Sequence, residues 1–110
     1  MNASAAGRGE GESEQPASRG NAMVRDFAIC NKRGLHARAA AKFVQTVEKF
    51  DADVRVTRNG ETVGGTSIMG LLMLAAGTGT SIHVEATGNE AAEVIDALAA
   101  LIAARFGEGD

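Results

Sequence analysis

Gly34-Leu35-His36-Ala37-Arg38-Ala39-Ala40-Ala41 is the stretch of this chain whose residue types and spacing could do chemistry. A glycine precedes the histidine by two positions, an arginine follows it by two, and alanines then open a helical run. A helix start presents backbone N–H groups without partners and a partial positive charge, so it favours anions. A neutral imidazole is a nucleophile. A phosphoryl group carried on the His36 ring would meet the N–H groups of Ala37, Arg38 and Ala39. The Arg38 guanidinium adds a planar fork suited to phosphate oxygens. The chemistry indicated is phosphoryl carriage on histidine.

The elements that must position these residues are legible as periodicities from Met23 onward. Phe27 and Ile29 alternate with polar or small neighbours, which predicts a strand at about 24–30. Ala40, Phe43, Val44 and Val47 recur at helical spacing, which predicts an amphipathic helix over about 37–48. Val54 and Val56 alternate with Arg55 and Thr57 in a second strand. Asn59-Gly60 is a two-residue hairpin signal, so a third strand returns over about 61–65. Ser67 suits the N-cap of a short helix from Ile68 to Leu74, which Gly77-Thr78-Gly79 ends. A fourth strand carries Ile82 and Val84. A last helix, striped by Ala91, Val94, Ile95, Leu98, Leu101 and Ile102, runs to about Arg105. The order is βαββαβα. It predicts an α+β fold: a four-stranded, mainly antiparallel sheet with three helices on one face and the other face open to solvent. A ferredoxin-like arrangement of the same elements stays open on pattern alone.

Composition bounds the rest. The chain has 110 residues, 45% of them hydrophobic, enough for one domain with a modest core. Residues 1–22 hold no aliphatic side chain larger than alanine beyond Met1 and are expected to form a disordered tail. The folded domain is expected over 23–110, and Met23 is a candidate translation start. A net charge of −3 argues against nucleic acid as a partner. The single cysteine, Cys30, excludes an intramolecular disulfide and fits a reducing compartment. No His/Cys spacing suggests a metal, and no cofactor is implied. The apolar run from Ile68 to Gly77 is far short of the roughly 20 residues that span a bilayer. With no signal-peptide pattern at the N-terminus, a cytoplasmic, monomeric protein without membrane contact is expected.

These residues together resemble the HPr family, the histidine-containing phosphocarriers of the bacterial phosphoenolpyruvate-dependent phosphotransferase system. The resemblance covers about 23–106. It rests on Gly34-Leu35-His36-Ala37-Arg38, Phe43-Val44, Asn59-Gly60 and Ser67-Ile68-Met69-Gly70-Leu71, and on the interval between His36 and Ser67. Phe50-Asp51-Ala52-Asp53, Leu72-Met73-Leu74 and Val84-Glu85-Ala86-Thr87-Gly88 look more like the nitrogen-related (NPr-like) branch. The resemblance implies an open-faced β-sandwich and a stoichiometric carrier with no turnover of its own. It implies that His36 accepts a phosphoryl group on Nδ1 from phosphorylated enzyme I and donates it to an EIIA-type protein. Arg38 would hold the phosphate, and Ser67 would be a regulatory site for a HPr kinase/phosphorylase. The family usually has proline where this chain has Ala39. Alanine is a good helix former and adds an N–H, so a slightly more mobile loop with the same chemistry is expected.

Each of these residues also has a plainer reading. His36 could be a cap without chemistry, Arg38 a solvated helix residue and Ser67 only an N-cap. His83 alternates with Ile82 and Val84, falls on the open sheet face without a titrating partner at suitable spacing, and reads as structural. Cys30 reads as a small strand-end residue with no base beside it. Ile68, Met69 and Leu72 are expected to be partly exposed on the short helix and to dock partners, while Leu71 and Leu74 face the core. Lys32, Arg33, Arg38 and Lys42 would form a positive rim around His36. A phosphorylation-dependent binding module without transport flux is the alternative function. An RNA-binding domain lacks the aromatic sheet face it needs, since Tyr and Trp are absent. A hydrolase lacks an acid–base partner for Ser67.

Overall fold

The computed structural model describes residues 22–108, so the expectation for residues 1–22 falls outside the described residues but for Ala22. Four strands, β1 (Met23–Ala28), β2 (Asp53–Arg58), β3 (Glu61–Gly64) and β4 (Ser81–Thr87), form one sheet in the order β1-β4-β2-β3. Three helices, α1 (Ala37–Val47), α2 (Ile68–Met73) and α3 (Ala91–Ala103), follow β1, β3 and β4. The βαββαβα order is as expected, with boundaries moved by a residue or two. Every neighbouring strand pair is antiparallel, and the order β1-β4-β2-β3 puts β1 at an edge beside β4, which removes the ferredoxin-like alternative, in which β1 pairs with β3 at the centre of the sheet.

The register explains the layering. Val54 stands opposite Ala86 and Val56 opposite Val84 across β2 and β4, while Phe27 stands opposite Ile82 across β1 and β4. These side chains are buried and point to one face. The alternate residues His83, Ser81 and Arg55 are exposed on the other. On the covered face α1 brings Ala39, Ala40, Phe43, Val44 and Val47, α3 brings Val94, Ile95, Leu98 and Ile102, and all join one core with the strands. Burial of each Val, Leu, Ile or Phe is worth roughly 1.5–3 kcal/mol, so this face holds the fold. Asn59 and Gly60 make the hairpin turn, both with positive φ, as the Asn-Gly pair requires.

Two loops at one end of the sheet are zipped together and set the start of α1. Ile29 N–H donates to Thr80 O at 2.8 Å, Gly79 N–H to Ile29 O at 2.8 Å, and Leu35 N–H to Ala76 O at 2.8 Å. Thr78 Oγ1 donates to the Asn31 carbonyl. Gly34 sits at φ +67°, and a Cβ there would lie 2.7 Å from both Ala76 O and Gly77 Cα. Only glycine fits that approach. Beyond α3 a tight turn, Arg105–Gly107, folds the chain back toward α1, burying Phe106. Arg105 and Phe106 both have φ 56°. Left-handed backbone costs non-glycine residues roughly 1–2 kcal/mol each. Phe106 burial, roughly 1.5–3 kcal/mol, and the Lys42 Nζ bond to Phe106 O at 2.5 Å offset that cost.

Gly34→Ala should therefore lose at least about 1 kcal/mol of stability, lowering the melting temperature on the order of 4–8 °C. Gly60→Ala serves as the comparison, since its φ is +80° but nothing lies within 4 Å of an added Cβ. Denaturant and thermal melts of both variants check this. Equal losses would show that backbone conformation alone, and not contact with the Ala76–Gly77 peptide, constrains Gly34.

Candidate functional site

His36 is the N-cap residue of α1, in extended conformation at φ −81° and ψ −177°. The preceding Gly34–Leu35 segment holds it there: Leu35 is buried, and His36 N–H donates to Gly34 O at 2.9 Å. The first bond of the helix runs from Ala40 N–H to His36 O at 2.8 Å. Ala37, Arg38 and Ala39 N–H groups thus stand ahead of the intrahelical ladder, where a helix start gathers anions. The His36 side chain makes no capping bond of its own. Arg38 is exposed in the first turn, two positions on, whereas the Ala39 side chain is fully buried under the sheet. The three expected phosphate-facing residues are thus one continuous turn.

The imidazole has a partner that no sequence signal indicated. His36 Nε2 is hydrogen-bonded to Glu108 Oε2. The other carboxylate oxygen of Glu108 accepts from Asn31 Nδ2 at 3.1 Å, and the same amide nitrogen donates to Gly34 O at 2.8 Å. Asn31 is wholly buried and its Oδ1 has no hydrogen-bond partner. The hydrogen bonds from His36 and then Asn31, helped by the charge of Arg33, hold the Glu108 carboxyl below its ordinary value of 4.5 against the opposing effect of burial. Residues 31, 36 and 108 are brought together by loop pairing and by the turn after α3. Separations of this size leave no local pattern to read.

The other expected residues are placed as follows. Ser67 is the N-cap of α2, and its Oγ accepts from Gly70 N–H at 3.0 Å. Arg58 Nη1 donates to Leu74 O at 2.9 Å at the other end, where a cation suits the helix dipole. A Cβ on Gly70 would meet Ser67 Oγ and Val63 Cβ at 2.9 Å, so glycine there lets α2 lie close on β3. Ile68 and Met69 are exposed, Leu72 is half-buried against the core, and Met73, which was not among the expected docking residues, is exposed as well. Leu71 and Leu74 are buried, as the helical pattern required. Lys42 gives its ammonium to Phe106 O, so it ties down the C-terminal turn as well as adding positive charge.

One plainer reading needs amending. His83 has a titrating partner after all: its Nδ1 lies 2.7 Å from Asp26 Oδ1, directly across β1 and β4. Spacing missed this because the two are adjacent only through strand register. Both are exposed at an open depression on the sheet face away from the helices. Cys30 is an exposed free cysteine just past the end of β1, and its Sγ donates to Ile102 O at 3.4 Å. Among the described residues no group of His, Cys, Asp and Glu could hold a metal ion, and no helix is long and apolar enough to cross a membrane.

Residues 23–104 match the family PTS-HPr, described as "PTS HPr component phosphorylation site". The chain belongs to the HPr family. It is 52% identical over 88 residues to phosphocarrier protein HPr of Cupriavidus necator, covering 80% of this chain and 99% of that protein. It is also 40% identical over 86 residues to phosphocarrier protein NPr of Shewanella violacea, with 78% and 94% covered. The fold matches the crystal structure of HPr-C-His from Thermoanaerobacter tengcongensis with a TM-score of 0.76 at 40% identity, over 80% of this chain and 99% of that one. An open-faced sheet with three helices in an HPr phosphocarrier of the phosphotransferase system is therefore the fold and the general role of this chain.

A pH effect follows from Glu108. Its carboxyl titrates lower in the folded protein than at its ordinary value of 4.5, so its contribution to stability is fully present above that value. The contribution is lost as pH falls through the depressed folded value. Melting temperatures of the parent and of Glu108→Gln, measured from pH 7 down to pH 3, should differ above about 4.5 and converge below it. A gap that persists unchanged in acid would count against an ionised Glu108 in this network.

Proposed function

We propose that His36 accepts a phosphoryl group on Nδ1 from phosphorylated enzyme I and passes it to an EIIA-type protein. Placement of His36 as the N-cap of α1, with three first-turn N–H groups beside it, carries this reading. Those groups and Arg38 would meet the charge of the phosphoryl group as it arrives and leaves. The protein acts as a stoichiometric carrier, not as an enzyme, and binds its partners without cofactor, metal or nucleic acid. The exposed Ile68, Met69 and Met73, with Leu72 beneath them, form the apolar surface that enzyme I would cover. Ser67 is a second, regulatory phosphorylation site for a HPr kinase/phosphorylase.

Mixing the protein with enzyme I and labelled phosphoenolpyruvate tests the first assignment. An N-phosphoimidazole is acid-labile and alkali-stable, so the label should vanish in mild acid and survive base. His36→Ala should abolish labelling and His83→Ala should not. Persistent label in the His36→Ala protein overturns the assignment.

Ser67 is tested through its two roles. A phosphate there brings about −1.5 to −2 charges to the rim of the apolar surface, at a helix start that tolerates negative charge. Ser67→Asp should keep the melting temperature while weakening enzyme I binding and slowing His36 labelling, because charge in an apolar contact must be desolvated. Ser67→Ala should lose about 1 kcal/mol of capping and keep labelling. If Ser67→Asp takes label as fast as the parent, Ser67 is a cap only.

A further inference from the structure

We propose that Glu108 is a positioning residue for His36: its carboxylate accepts a hydrogen bond from Nε2–H, so that the imidazole presents an unprotonated Nδ1 to the incoming phosphoryl group. This rests on the reading of His36 as the acceptor. An ionised carboxylate only accepts hydrogen bonds, so the ring nitrogen that faces it must carry the hydrogen. In a neutral imidazole the other nitrogen then holds the lone pair, and the partner of one nitrogen decides the role of the other. The same logic orients the histidine of a Ser-His-Asp triad.

Two features of the fold serve this placement. The turn after α3 holds Arg105 and Phe106 at left-handed φ, with Phe106 as its buried anchor and Lys42 on its carbonyl, and so aims Glu108 at His36. Asn31 then fixes the carboxylate from the second oxygen. Its amide orientation is determined, since Nδ2 faces two acceptors, the Gly34 carbonyl and the carboxylate. That orientation leaves Oδ1 buried with no partner among the described residues. The carboxylate is largely shielded from water, with 12% of its side chain exposed and 24% of the His36 side chain.

The group transfer balances without a further base. The Nδ1 lone pair forms a nitrogen–phosphorus bond as the bond from phosphorus to the donor atom of phosphorylated enzyme I breaks, and that electron pair leaves with the donor group. His36 keeps its Nε2 proton and becomes a phosphoimidazolium. Its positive charge then lies against Glu108. In the onward step the same retained proton lets His36 depart as a neutral ring, a far better leaving group than an imidazolate.

Two measurements on the full chain decide it. Nitrogen-15 NMR of the unphosphorylated protein should show the His36 hydrogen on Nε2 in the parent and in Glu108→Gln, whose amide oxygen still accepts. In Glu108→Ala the two ring forms should mix. Labelling by enzyme I should slow by about 10- to 100-fold in Glu108→Ala, the loss typical when the carboxylate partner of a metal-ligating histidine is removed, with partial recovery in Glu108→Gln. A hydrogen on Nδ1 in the parent overturns the proposal, and so does an unchanged or faster rate in Glu108→Ala. Failure of the parent itself to take label at His36 would instead sink the phosphoryl-acceptor reading, and the NMR result is independent of it.

Discussion

The closeness with which the Gly34 backbone lies against the Ala76–Gly77 peptide governs the site. At that distance no side chain fits, and the loop ahead of α1 is drawn flush against the loop ahead of β4. Leu35 N–H then reaches Ala76 O, Thr78 reaches the Asn31 carbonyl, and Ile29 exchanges bonds with Gly79 and Thr80. The chain has no freedom left by the time it reaches His36. The ring is delivered at the first position of a helix by backbone pairing, without a capping bond from the histidine itself. A loop carrying reactive residues on a rigid scaffold is the usual economy of such sites.

Stability and chemistry are assigned to different atoms of the same short helix. The sheet-facing row of α1, from Ala39 and Ala40 to Phe43, Val44 and Val47, is buried and contributes packing. Its solvent-facing first turn, with Ala37 and Arg38 exposed, contributes little to the core and is free to meet a ligand. Ala39 shows both at once, since its side chain is buried while its N–H belongs to the first turn. Where the resemblance leads to an expectation of proline, Ala39 supplies an N–H that proline lacks.

Most of the fold was legible because its signals are local. The stripe Ala40, Phe43, Val44, Val47 specifies α1, the Asn59-Gly60 turn fixes the β2–β3 hairpin, and Ser67 before Ile68 marks the start of α2. His36 and Arg38 were legible for the same reason, being two positions apart in one motif. What escaped the sequence depends on strand register or on the return of the chain end. Asp26 meets His83 only because β1 and β4 align at that step. Glu108 meets His36 and Asn31 only because Arg105 and Phe106 turn left-handed, which no propensity of arginine or phenylalanine forecasts. Met73 was missed at the surface because an all-apolar helix of six residues offers no periodicity to orient it.

His36 stands between a helix start and a carboxylate. Beyond the first turn of α1 lie N–H groups and a guanidinium, which favour negative charge, while the Nε2 edge rests against a carboxylate. Under the proposed role, a phosphoryl group on Nδ1 would make the ring more positive, and Glu108 would answer that charge from the Nε2 edge. Were the carboxylate on the phosphoryl side, it would repel the incoming group at close range. Separation by the width of an imidazole lets one site favour both the anion it carries and the cation that carrying it creates. Asn31 belongs to that arrangement as well, because its Nδ2 holds the second oxygen of the Glu108 carboxylate. The buried amide with its unpartnered oxygen is the cost of holding the negative charge on the correct edge.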